Sequence, residues 1–309
     1  MESLKISGFR NINALVNGPF WILFEAVRIE TGTRHLLQVL DESVSQDREF
    51  AALVRESLHL SSGLHHEAIL QPHAVEEASG RLILVYEFFN ARSLQTMLDS
   101  HLPFVERRVT TIVRLIAEAF QYAQIRGVRH GWLSPQVILL AKFQDEVKIF
   151  GFSADAMLAY LYDKRQDIAA SVNPYLPPEN LALATQPAPD DCYALGVLFY
   201  QLLLGKLPFA QEKIIDLKQE KCTTIIPPNK ENPKISHAVS DMVLSLLDPR
   251  PQSRAGLSSL LNILKPPTED NVHLNGAPAE GESRMSRVRG MFRHVNPVSK
   301  NLVGSRKRI

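Results

Sequence analysis

The residues best placed to do chemistry lie in one stretch, Arg126-Gly127-Val128-Arg129-His130-Gly131-Trp132-Leu133-Ser134-Pro135-Gln136-Val137, followed by the apolar run Ile138-Leu139-Leu140. A loop that takes a proton from a hydroxyl needs a base at the reacting atom, and one that holds a hard cation needs oxygen ligands. Trp132 cannot take a proton and Val137 cannot ligate a hard cation. His130 reads as a satisfied structural histidine. No His/Cys/Asp/Glu cluster with metal spacing stands nearby, and the two cysteines, Cys192 and Cys222, form no framework.

The order of motifs around this stretch resembles the protein kinase superfamily, of the serine/threonine type. The loop resembles H-R-D-L-x-x-x-N, with Trp132 at the Asp and Val137 at the Asn. Val147-Lys148-Ile149-Phe150-Gly151-Phe152-Ser153 resembles the strand entering D-F-G, with Gly151 at the metal-binding Asp. Asn173-Pro174-Tyr175-Leu176-Pro177-Pro178-Glu179 resembles A-P-E. Asp191 to Phe209 resembles the buried central helix of the larger lobe, and Leu247-Asp248-Pro249 with Arg254 resembles its late D-P-x(4)-R segment. Upstream, Arg34 to Leu40 resembles V-A-I-K, with Gln38 at the Lys and Leu36 at the Ala. Val16 to Leu23 stands in for the glycine-rich loop and keeps only Gly18.

The resemblance covers roughly residues 10 to 265. It implies an α+β, bilobal fold: a small antiparallel β-sheet N-lobe with one helix, and a larger, mainly helical C-lobe. The expected organisation is 1–89 N-lobe, 90–265 C-lobe, 266–283 flexible linker, and 284–309 a basic tail, disordered or amphipathic. The resemblance also implies roles. Glu56 pairs with the residue at the strand Lys, here Gln38. Leu60, His130 and Phe152 stack into a column between the lobes. Glu179 pairs with Arg254, and Asp191 ties down the catalytic-loop backbone. The nucleotide pocket is bounded by Gly18, Leu36, Tyr86 and Leu139, with Leu36 and Tyr86 crowding the adenine.

The positions that carry phosphoryl transfer in this family are thus Gln38, Trp132, Val137 and Gly151, and none keeps its usual group. Losing one charge-stabilising group typically costs on the order of 3 kcal/mol, about a hundredfold in rate. Lys5 is the only lysine before Lys142, which closes the route of a lysine lent by a neighbouring strand. Asp155, four residues after Gly151, reads as a solvated loop carboxylate. The activation segment has no threonine, and Gly131 replaces the Arg that reads a loop phosphate.

On these grounds the expectation is a pseudokinase and not an enzyme. It would serve as a scaffold or allosteric module that meets a protein partner, an active kinase or its substrate. It carries no cofactor or metal, and its only nucleotide chemistry is weak, metal-independent ATP binding. Two alternatives stand beside it: a divergent ATP-binding serine/threonine protein kinase with a rearranged active site, and an adaptor anchored by its tail. Arg284 to Ile309 holds eight Lys/Arg and no acid, so the whole-chain charge of +1 leaves 1–283 at −7. That tail fits a solvated end, an anionic membrane surface or, less well, nucleic acid. The longest apolar run, Ala194 to Leu204, is too short to span a bilayer. The expected location is the cytoplasm, peripheral to a membrane if the tail binds one.

Overall fold

The computed structural model describes residues 5–100, 104–141, 146–164, 174–179, 190–209 and 225–265. The chain divides into two compact units, Met1–Lys265 and Pro266–Ile309. The proposed linker and basic tail fall in the second and lie outside the described residues.

Five strands form the first sheet: β1 (Phe9–Asn17), β2 (Trp21–Arg28), β3 (Arg34–Leu40), β4 (Pro72–Ala78) and β5 (Arg81–Glu87). Their order is β1-β2-β3-β5-β4, with every neighbouring pair antiparallel. Side chains alternate along a strand, so each strand serves two faces. Phe24, Leu37, Val39, Ile83 and Val85 join Ile6 and Phe9 in a small core on one face. Leu23, Leu36, Leu40, Leu82, Leu84 and Tyr86 belong to the main core on the other. The same period places Gln38, opposite Leu84 in register, on that second face. β5 is almost wholly buried because both its faces are covered.

A short helix α1 (Glu42–Ser45) leads to α2 (Arg48–Ser61). The Asp47 carboxylate caps α2, accepting from the backbone N–H of Glu49 at 3.0 Å and Phe50 at 3.1 Å, an interaction typically worth about 1 kcal/mol. Phe50, Ala51, Val54, Ser57 and Ser61 are buried at helical spacing. The fourth strand starts later than the sequence suggests, at Pro72. Ala68 to Leu70 are drawn instead to the second lobe, where Leu70 N donates to Ile149 O at 2.8 Å and Ile149 N donates to Ala68 O at 2.8 Å.

Next come β6 (Ala91–Ser93), α3 (Leu94–Asp99), α4 (Glu106–Ile125), β7 (Ile138–Ala141), β8 (Val147–Ile149) and α5 (Asp155–Lys164). They are followed by α6 (Asp191–Leu204), α7 (Pro228–Glu231), α8 (His237–Leu246) and α9 (Leu257–Ile263). The strands β6, β7 and β8 make a second, three-stranded antiparallel sheet. α6 is buried on nearly every side between α4 and α8, which explains why its sequence is apolar all round. The fold is therefore α+β: a small antiparallel sheet with α2, then a mainly helical lobe.

Candidate active site

The N-lobe wall begins at the turn between β1 and β2. Gly18 N donates to Trp21 O at 2.7 Å, and the Trp21 indole folds back beneath the glycine. A Cβ at Gly18 would lie 2.1 Å from Trp21 Cε2. Gly18 is thus required by the indole itself, whatever ligand the turn meets. Trp21 is buried and meets Phe150 edge to face, with centroids 5.5 Å apart, and Phe150 in turn lies 5.7 Å from Tyr86. These three rings, with Leu36 from β3 and Leu139 from β7, close the cleft between sheet and loop.

Gln38 is 9% exposed, and its Oε1 accepts from the Tyr86 hydroxyl at 2.8 Å. Burial pushes the Tyr86 phenol far above its usual range, so it stays a donor at every ordinary pH. The position of the phosphate-anchoring Lys is therefore a neutral amide tied to the strand beside it.

The second wall is the loop before β7. Its His130 is fully buried, and its tautomer follows from its partners. Trp132 N–H donates to Nδ1 at 3.1 Å, so Nε2 carries the proton and donates to Phe150 O at 3.0 Å. Burial holds the imidazole pKa down at about 4, and a second proton on Nδ1 would meet the Trp132 N–H head on. His130 also packs on Phe152, centroids 4.9 Å apart, and on Phe120 at 5.4 Å. Trp132 lies against Phe20 at 5.4 Å, and Val137 is buried in the 3-10 turn Pro135–Val137. Gly151 sits at φ +88°, where its backbone turns without a side chain.

The loop is fixed from below by carboxylates. Asp191 accepts from His130 N at 2.8 Å and Gly131 N at 3.0 Å, and burial raises its carboxyl to about 6. Asp190 caps α6 through Cys192 N at 2.8 Å. Its other oxygen meets Arg254 Nη1 at 2.5 Å, and Arg254 also forks onto Glu179 at 2.8 and 3.1 Å. The Arg254 side chain is 1% exposed, so this network is the electrostatic centre of the larger lobe.

Two expected positions are corrected. Glu56 and Leu60 do not face the cleft: Glu56 is exposed, and Leu60 is 55% exposed. The buried stripe of α2 passes through Val54, Ser57 and Ser61, and Glu56 and Leu60, each one residue before a member of that stripe, are turned about 100° away from it. The inward residue is Ser57, whose hydroxyl donates to Phe152 O at 2.9 Å. The column between the lobes is built from Phe120, His130 and Phe152 in place of Leu60. The phase of Phe50, Ala51, Val54 and Leu58 was the signal that could have set this register.

Asp155 is not a solvated loop carboxylate. It opens α5, and its Oδ2 is held by Arg129 Nη2 at 2.9 Å and Nε at 3.2 Å. Its Oδ1 fills the space beside Gly131, where a Cβ would lie 2.2 Å away. The loop cation has therefore moved two residues, from position 131 to Arg129, and pairs with a carboxylate of this chain. Among the described residues no group of three or more His, Cys, Asp or Glu could hold a metal ion. With Gly151 and Val137 at the two ligand positions, the site does not fit a Mg²⁺ ion held by protein side chains.

A family model described as "Protein kinase domain" matches residues 9–264. Serine/threonine-protein kinase PLK4 of Aedes aegypti is 25% identical over 284 residues, 90% of this chain and 36% of that protein. Serine/threonine-protein kinase Pkn1 of Myxococcus xanthus is 24% identical over 281 residues, 89% of this chain and 40% of its own length. The chain thus spans roughly two fifths or less of these curated relatives. The Mycobacterium tuberculosis PknI kinase domain superposes with a TM-score of 0.61 at 19% identity, covering 84% of this chain and 96% of that one. The expectation that the chain is not an enzyme is corrected by these relatives. They are named as kinases, and substituted residues at four positions do not by themselves remove the chain from an enzyme family. From residue 9 to 264, the chain belongs to the protein kinase family.

Proposed function

We propose that the chain is a divergent serine/threonine protein kinase with a rearranged active site, which transfers phosphate from a nucleoside triphosphate to a protein hydroxyl. The observation that carries this reading is the intact frame of the substrate-side loop. Asp191 holds His130 and Gly131, while Arg254 holds Glu179 and Asp190. A frame of buried charged groups is costly to keep and orients whatever loop it carries. The nucleotide binds without a protein-held metal ion and enters when the β1–β2 turn lifts Trp21 away from Phe150. Its acceptors are other proteins.

A second reading is favoured by one observation, the aromatic closure of the cleft by Trp21, Phe150 and Tyr86. In it the domain works as a protein-interaction module in signalling, its kinase-shaped surface meeting an active kinase or that kinase's substrate. The basic tail adds an anionic membrane surface as a further contact, with nucleic acid a weaker candidate, and the location is the cytoplasm. Among the described residues no helix is long and apolar enough to cross a membrane.

Incubating the purified chain with γ-labelled ATP and casein, with Mg²⁺, Mn²⁺ or EDTA, separates the two. Label on serine or threonine of casein, present with the purified chain, absent when the chain is omitted and competed away by excess unlabelled ATP, supports the first reading. No label at any nucleotide concentration, with no shift of the thermal melt by ATP, overturns it and leaves the interaction module.

A further inference from the structure

Two asparagines of the chain are followed by glycine: Asn17, at the β1–β2 turn, and Asn275, outside the described residues. Asparagine amides are thermally labile, and most so before glycine, where no side chain shields the next backbone nitrogen. Asn17 is exposed at the end of β1, and its side-chain amide has no hydrogen-bond partner among the described residues, so water reaches it freely. Position 18 cannot shed its glycine, because a Cβ there would lie 2.1 Å from Trp21 Cε2. The labile pair is thus a consequence of the indole folded beneath it.

The same turn holds the reaction in check. Gly18 N, the atom that would attack the amide, donates to Trp21 O at 2.7 Å. Asn17 is paired with Ile22 across the β1–β2 ladder, which keeps its backbone extended, whereas ring closure needs that backbone to rotate. Trp21 is 5% exposed and lies edge to face on Phe150, with centroids 5.5 Å apart. Attack therefore waits for a local opening in which the Gly18 bond breaks, the strand ends part and the indole lifts.

We propose that Asn17 is a site of self-modification, at which the chain converts its own amide to aspartate or isoaspartate at a rate set by how often the β1–β2 turn lifts Trp21. In the open turn Gly18 N loses its proton and bonds to Asn17 Cγ. The Cγ–Nδ2 bond breaks, and ammonia leaves with that proton. Water then opens the cyclic imide. Cleavage of the Cγ–N bond gives aspartate, and cleavage of the backbone C–N bond gives isoaspartate, whose main chain is one carbon longer. Either product carries a negative charge, and isoaspartate also throws the Asn17–Ile22 pair out of register. The turn then no longer holds the indole on Phe150, and the opening does not reverse. This uses the turn motion invoked above for nucleotide entry but needs no nucleotide, so it stands or falls apart from phosphoryl transfer.

The test ages the full chain without nucleotide at mildly alkaline pH, folded and in concentrated urea, and follows the Asn17 peptide by mass spectrometry, with aspartate and isoaspartate separated by chromatography. Conversion in the folded chain should be roughly ten- to fiftyfold slower than in urea, because a backbone hydrogen bond and a buried ring must be released together. Trp21→Ala should raise the folded rate at least about fivefold, with unfolding curves confirming that a folded protein is compared, and Asn17→Gln should abolish the conversion. In a Trp132→Phe background Trp21 is the sole tryptophan, and its emission should shift to the red and its quenching by acrylamide should rise as Asn17 converts. A folded rate equal to the urea rate, or one that Trp21→Ala leaves unchanged, would overturn the gate. A folded rate slowed beyond detection would overturn the site. Full conversion with unchanged Trp21 emission and quenching would overturn the opening of the turn.

Discussion

Replacing Gly131 by Ala tests the relocated loop ion pair most directly. Two costs follow from the structure. The residue sits at φ +81°, where a side chain costs roughly 1–2 kcal/mol. The new Cβ would also lie 2.2 Å from Asp155 Oδ1 and 3.0 Å from the Asp155 backbone N. Relief requires Asp155 to swing away from Arg129. That pair is about half exposed on the arginine side and one-third on the aspartate side, so its loss adds only about 0.5 kcal/mol. Gly131→Ala should therefore cost about 2–3 kcal/mol. Asp155→Ala alone should fall within about 1 kcal/mol of wild type, because losing the Arg129 pair is offset by removing an Oδ1 that is buried with no donor. The double variant should be less destabilised than the two singles added, by about 1 kcal/mol, since the alanine at 155 vacates the contested space. Urea unfolding of the four proteins measures the cycle. Strict additivity, or a Gly131→Ala cost under about 0.5 kcal/mol, would show that Asp155 does not occupy that volume.

Arg254→Met leaves the Glu179 and Asp190 carboxylates without their buried partner. The expected cost is about 3 kcal/mol, a fall of roughly 6–12 °C in the calorimetric melting temperature for a domain of this size. His130 gives a pH dependence. Its folded-state pKa of about 4 lies below the unfolded 6.5, so the unfolded chain binds the proton first and stability is lost as pH falls from 6.5 to 4. The loss approaches about 3 kcal/mol. It should appear in full in the difference between wild type and His130→Gln, in which the opposing titration of Asp191 cancels. A flat difference between pH 7 and 4 in denaturant titrations would contradict the buried neutral tautomer. Leu60→Ala should cost less than about 0.5 kcal/mol, whereas Phe120→Ala should cost about 3–5 kcal/mol; the reverse order would restore the column to α2.

Much of this could be read along the chain. The motif order placed the strands, the loop of His130 and the buried helix from Asp191, and the composition of Gln38, Trp132, Val137 and Gly151 is plain in the sequence. The enzyme question was not. Residue types at four positions led to an expectation that the family relatives correct. Glu56 and Leu60 were misassigned because α2 carries leucines on more than one face, and counting from a motif cannot tell which stripe turns inward. Only the packing of Val54, Ser57 and Ser61 against the sheet and Phe152 settles the phase.

Local pattern determined what depends on neighbours in sequence. The Asp47 and Asp190 caps, the period-2 strands and the apolar α6 are short-range consequences of residue type. Tertiary structure decided what depends on residues far apart. It paired Tyr86 with Gln38, slid the Trp21 indole under Gly18 and against Phe150, and set Asp155 in the space that Gly131 leaves free. Such contacts fix which polar groups are spent and which remain open to a ligand. Only closing the chain into two packed lobes brings those groups within hydrogen-bonding distance.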